Sequence, residues 1–184
     1  MSGRVFDPLR LDVQALAGDA GELGGDWSLR LFERLADMLH AEAPPVEGDV
    51  ISWSARGEQR AARGAPAQNW LHLQARANLK LECQRCLQPV PTDIALDRWF
   101  HFVPGEDAAA QLDADSEDDV LALTRALDLR ELVEDELLLA LPLVPRHSVC
   151  PAPLRAPGEA ADLEPDPVHP FAALAALKQG GPLN

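Results

Sequence analysis

From Leu71 to Cys83 the sequence alternates without a break. Leu71, Leu73, Ala75, Ala77, Leu79, Leu81 and Cys83 are apolar, and His72, Gln74, Arg76, Asn78, Lys80 and Glu82 between them are polar. Successive side chains of a strand point to opposite faces, so this run predicts one long strand with a dry face and a wet face. Two flanking segments repeat the pattern. Gly48–Arg56 sets Ile51, Trp53 and Ala55 against Ser52, Ser54 and Arg56. Thr92–Val103 turns Ile94, Leu96, Phe100 and Phe102 inward and Asp93, Asp97 and His101 outward. Adjacent alternating segments pair most simply as antiparallel neighbours, with turns at Gln59–Pro66 and Gln84–Pro91.

Helical spacing occurs twice. Leu29, Phe32, Leu35, Ala36 and Leu39 predict a helix over 26–40, with Asp26 at its start and Pro44-Pro45 beyond its end. Leu129, Leu132, Val133, Leu137 and Ala140 predict the stronger helix, 128–141. Asp128 and Glu131 form a capping-box-like pair, Glu131, Glu134, Asp135 and Glu136 give a wet face, and Pro142 is the stop. Val120–Leu123 reads as a short strand, and the acidic stretch before it as a solvated loop. Residues 1–25 read as irregular, with Arg4–Val13 suited at most to an edge strand because of Pro8. Eight of the sixteen prolines fall between Pro142 and Pro170. The fold class is therefore α+β: an antiparallel sheet on residues 48–103, two main packed helices and a proline-rich C-terminal tail. The expected divisions are 1–25, 26–145 and 146–184, with a short helix at Pro170–Lys178 ending the tail.

A chain of 184 residues with 47% apolar side chains serves one packed core. The longest apolar run, Phe171–Leu177, is far short of a membrane span, and Asp7 and Asp12 stand where an export signal would be apolar. Three cysteines cannot form an even disulfide framework, so a reducing cytoplasm is expected. The net charge is −14. Such a chain is a poor non-specific nucleic-acid binder over its whole surface and a good holder of basic partners. The charge is uneven, however. Residues 105–119 hold seven acids and no base, whereas residues 56–86 hold six bases against two acids.

Cys83-Gln84-Arg85-Cys86 and His147-Ser148-Val149-Cys150 are two short-spaced ligand pairs that contain all three cysteines. Three thiols and an imidazole suit a structural zinc, so Cys83, Cys86, His147 and Cys150 are the candidate metal ligands. Without a metal, the same residues are small side chains at a hairpin tip and an incidental third cysteine. A redox dithiol is disfavoured, because that chemistry wants the first cysteine at a helix N-terminus and Cys83 follows a strand. The sequence contains no GxSxG, GxGxxG or P-loop motif, and its five histidines are dispersed. On the wet face of strand 71–83, Arg76 and Lys80, with Arg85 at the tip and Trp70 nearby, form a candidate nucleic-acid contact. The same cations could instead pair with acids of the chain itself.

The segment Leu81-Glu82-Cys83-Gln84-Arg85-Cys86-Leu87-Gln88-Pro89 resembles the CxRC signature of the YceD family of large ribosomal RNA subunit accumulation proteins. Leu132–His147 is similar to its second signature, and His169-Pro170-Phe171-Ala172-Ala173-Leu174-Ala175-Ala176-Leu177-Lys178 to its NPFAxLAxLK tail, with His169 in place of the asparagine. Many relatives carry a cysteine cluster where this chain has His147 and Cys150. The resemblance implies ribosome biogenesis, through synthesis, processing or stability of large-subunit ribosomal RNA, and it brings no catalytic residues. Two mechanisms stay open: the basic strand face touches ribosomal RNA, or the acidic surface holds a basic large-subunit ribosomal protein, which the overall charge favours. The rival class is a zinc-dependent hydrolase or nuclease acting on ribosomal RNA precursors. Four protein ligands would close the coordination sphere that such catalysis needs open.

Overall fold

The computed structural model describes residues 4–61, 64 and 66–151. Those residues belong to a unit spanning Met1–Pro151, and the second unit, Ala152–Asn184, lies outside them. The tail helix expected at Pro170–Lys178 therefore also lies outside the described residues. In chain order the elements are α1 (Val13–Gly18), β1 (Glu22–Ser28), a 3-10 turn at Leu29–Leu31, α2 (Glu33–Ala36), β2 (Val50–Arg60) and β3 (Gln68–Glu82). They continue with β4 (Pro89–Val103), α3 (Glu106–Asp115), β5 (Asp119–Ala122) and α4 (Leu129–Leu139). The five strands form one sheet in sequence order. The first three pairings are antiparallel, and β5 runs parallel to β4. The α+β class, with its mainly antiparallel sheet, is the one the alternation predicts.

The inner face of the sheet carries the expected parity. Leu71, Leu73, Leu79 and Ile51 are wholly buried, with Phe100 and Phe102 beside them. Val13 and Leu16 of α1 and Leu129, Val133 and Leu137 of α4 join the same core. Asp128 caps α4 by accepting from the N–H groups of Arg130 and Glu131. Gly57 is the point of closest approach: a Cβ there would lie 2.6 Å from the Ala17 nitrogen and the Leu16 carbonyl carbon. The helix backbone thus rests directly on β2.

Four local expectations need correction. The helix predicted over 26–40 does not form. Residues up to Ser28 instead pair with β2, from Glu22↔Arg56 to Ser28↔Val50. The Trp27 indole stacks on Trp53 at 4.2 Å, and the Leu29 N–H bonds to Asp49 O rather than within a helix. Leu29, Phe32 and Leu35 are still buried, so the apolar spacing is satisfied by a 3-10 turn and the single turn of α2. Second, residues 13–18, read as irregular, form a helix capped by Asp12. Third, the acidic stretch is largely helical. Glu106 and Asp107 sit in the first turn of α3, where the helix dipole favours acids, and Asp113 accepts the Val120 N–H. This helix is the crossover that a parallel β4–β5 pair requires.

The fourth correction concerns Glu134, Asp135 and Glu136, read as a wet face. Glu134 is only 9% exposed. Its Oε2 accepts from Nε and Nη2 of Arg34 at 3.2 and 3.0 Å, and its Oε1 accepts the Leu35 N–H at 3.1 Å. Asp135 takes the Nη1 of the same arginine at 2.6 Å. Glu136 faces Arg98 at 3.4 Å, and burial raises its pKa against the pull of that guanidinium. These acids join α4 to α2 and to the sheet.

Gly57→Ala should destabilise the protein by about 1–3 kcal/mol, because backbone must move to admit the methyl group. Gly25→Ala, whose Cβ would meet only the Trp53 Nε1 at 3.9 Å, should stay within about 0.5 kcal/mol of wild type. Urea unfolding of the two variants checks the pair.

Candidate metal centre and outer sheet face

Strand β3 delivers Cys83 just past its end, fully buried, and the turn to β4 closes tightly behind it. The Cys83 N–H bonds to Gln88 O at 3.0 Å and the Leu87 N–H to Cys83 O at 2.8 Å, with Leu87 in the left-handed region at φ 58°. This bend turns Cys86 back toward Cys83. The second ligand pair arrives from the segment after α4. There the Gln84 N–H bonds to Pro145 O at 2.9 Å and draws His147–Cys150 against the turn.

The four ligand atoms of Cys83, Cys86, His147 and Cys150 lie within 4.8 Å of one another, close enough to hold one metal ion. The Cys83 and Cys150 sulfurs are 3.9 Å apart, and Cys86 Sγ is 3.5 Å from His147 Nδ1. Zinc bonded to sulfur at about 2.3 Å and nitrogen at about 2.0 Å has tetrahedral edges of about 3.8 and about 3.5 Å. A disulfide would instead need sulfurs at about 2.05 Å.

The protonation pattern agrees with the geometry. His147 Nε2 is 3.1 Å from Pro89 O. A carbonyl only accepts, so Nε2 is the donor there, and in a neutral imidazole this leaves Nδ1 as the nitrogen that faces the cluster. Burial opposes a charged Cys83. The backbone N–H groups of Arg85, His147 and Cys86 act against that penalty and lower its pKa. Cys86 shifts the other way, raised by burial and by the Cys150 and Cys83 sulfurs beside it. One thiolate is thus stabilised while its neighbour resists ionising, a conflict that a central divalent cation would relieve.

Arg85 does not extend the basic stripe. Its Nε donates to Cys150 Sγ at 2.9 Å, and its Nη2 to the carbonyls of His147 and Ser148 at 3.0 and 3.4 Å. Arg76 and Lys80 do lie on the outer face of β3, both exposed. Arg76 stands between Ser52 and Ala95, and Lys80 stands opposite Pro91. Among the described residues neither forms a salt bridge. Of the acids on that face, Asp97 takes His72 and Gln74, each at 2.6 Å, and Asp93 takes Asn78, while Glu82, two residues from Lys80, is exposed. A shallow groove of about 380 Å³ runs past Ser52, Ser54, Gln74, Arg76 and Ala95.

Sequence reasoning noted Trp70 but missed what gathers around it. Trp70 stacks on His101 and His72 on Trp99, with centroids 4.6 and 4.4 Å apart. Arg60 lies 4.1 Å from the Trp70 ring and 4.3 Å from the Trp99 ring. The signal was present in the parity, since all four rings occupy outward positions of β3 and β4. Only the register Trp70↔His101 and His72↔Trp99 makes them neighbours.

Residues 71–178 match the family described as Large ribosomal RNA subunit accumulation protein YceD. A curated relative of that name from Haemophilus influenzae is 36% identical over 106 residues, which are 55% of this chain and 61% of the relative. The chain thus spans about three fifths of the relative it matches. No solved structure matches it significantly.

Arg85→Ala should release the segment that carries His147 and Cys150. Hydrogen exchange over residues 146–150 should quicken, with the rest of the sheet unaffected. Unchanged exchange there would mean that other interactions hold the segment.

Proposed function

The chain belongs to the YceD family, and from that premise we propose that it is a ribosome biogenesis factor that binds large-subunit ribosomal RNA without cleaving it. The observation that carries the RNA reading is the outer face of β3, where Arg76 and Lys80 stand exposed and without salt bridges among the described residues, in a chain of net charge −14. A phosphate backbone fits such cations through release of its counterions. The alternative, an acidic surface holding a basic ribosomal protein, loses support because Glu134, Asp135 and Glu136 are committed to Arg34 and Arg98.

The metal in this reading is zinc, held by Cys83, Cys86, His147 and Cys150. Three thiolates and an imidazole form a soft set that suits it. Its role is structural: it ties the segment after α4 to the β3–β4 turn. Four protein ligands leave no open position for a reacting water, which supports a non-catalytic protein over a zinc nuclease.

Protein purified without chelator should carry about one equivalent of zinc, absent from Cys86→Ser. Less than about a tenth of an equivalent would overturn the zinc assignment. Cells lacking the protein should show less large-subunit than small-subunit ribosomal RNA, and unchanged subunit ratios in a sucrose gradient would count against the ribosomal role. Arg76→Ala with Lys80→Ala should weaken RNA binding and lower the slope of log affinity against log salt by about one for each phosphate no longer neutralised. Cleavage of RNA by the purified protein, abolished in Cys86→Ser, would favour the nuclease.

A further inference from the structure

One end of the outer face offers more than charge. Trp70 and His101 form a stacked base layer, 5% and 6% exposed. Burial, reinforced by Arg60 and opposed by Asp118, holds the His101 pKa below the ordinary imidazole value. Beside this layer, the His72–Trp99 pair remains partly exposed, and Arg56 is exposed with its guanidinium 5.7 Å from the Trp99 ring. Glu58 bonds Arg60 at its Nε edge, at 2.9 Å. That interaction leaves the guanidinium face to the two indoles. Indoles, imidazoles and guanidinium planes are thus gathered on the outer strand face, where a packed core would use aliphatic side chains.

The cations extend from this point in register. Arg56 is opposite His72, and Arg76 and Lys80 follow on the same face of β3 at steps of four residues. Each step is about 13 Å along a strand. A ligand with flat, unsaturated groups and a trailing line of negative charge would meet both features at once. Single-stranded RNA has that chemistry, whereas duplex RNA hides its base faces.

We propose that Trp99, with Arg56 and Arg60, forms a nucleobase-stacking site for single-stranded RNA, while Arg76 and Lys80 take the phosphates that follow. The proposal rests on the RNA-binding reading above and adds the strandedness of the substrate and the residues that select it.

The test uses the full chain and three probes: a short oligoadenylate, the same oligomer annealed to its complement, and an abasic oligomer of equal length. The abasic probe keeps the phosphates and lacks the bases. Wild type should bind the single strand more tightly than the other two and show quenched tryptophan fluorescence. Trp99→Ala should weaken single-strand binding roughly 5- to 100-fold and barely change abasic binding. Trp99→Phe should restore most of that affinity. Arg56→Ala, at an exposed position, should move affinity in the same direction as Trp99→Ala. Equal affinity for the single strand and the abasic oligomer would overturn the stacking site. So would wild-type binding by both Trp99→Ala and Arg56→Ala when Arg76→Ala with Lys80→Ala fails to bind, an outcome that leaves the RNA reading standing. No binding to any probe at low salt would overturn both.

Discussion

The register of β3 against β4 governs the molecule. Pairing runs from Asn69↔Phe102 to Glu82↔Pro89, and β2 occupies the other edge of β3 over most of its length. A shift of one residue would send Leu71, Leu73 and Leu79 to solvent and bring His72, Arg76 and Lys80 into the core. The same register brings Cys83 and Cys86 to the tip and sets Trp99 against His72. One phase choice therefore sets the core, the candidate ligands and the outer face together. It is strongly enforced, because the seven apolar side chains that alternate from Leu71 to Cys83 depend on it.

Electrostatics here is local rather than global. A net charge of −14 suggests an acidic surface, yet the acids of α4 bind Arg34 and Arg98, and Asp97 and Asp93 bind neutral amides and a histidine. Glu134 shows the logic most clearly, since its two oxygens satisfy a guanidinium and the free N–H of Leu35 at once. A carboxylate buried in this way needs both partners to offset its missing hydration. Total charge therefore says little about which patch a partner meets.

The sequence was most legible where a single period or a short spacing decides the outcome. Strand β3 follows from alternation alone. The four candidate ligands follow from two three-residue spacings, and the chain does bring them together across the domain. The segment 26–40 misled because burial and helical geometry usually coincide. Leu29, Phe32 and Leu35 are buried as their spacing suggests, but the free edge of β2 claimed the backbone before them. Arg85 looked like a tip cation, because nothing local in the sequence shows that the carbonyls of His147 and Ser148 reach it. The Trp99 cluster was hidden for a related reason. Its four rings come from two strands, and the arginines from a third, so it exists only once pairing is fixed.

The position of His147 has a topological consequence. It meets Cys86 across 61 residues of chain, a span that contains β4, α3, β5 and α4. A metal joining these two ends works as a reversible cross-link. It would close a long loop, and because only the folded chain holds the four ligands together, its binding free energy would add directly to the stability of the folded state. During synthesis that loop cannot be closed by a metal before Cys150 is made, whereas β4 is complete at Val103. All five strands precede His147 in the chain, so the alternation that pairs β3 with β4 is complete in the sequence before the second ligand pair begins.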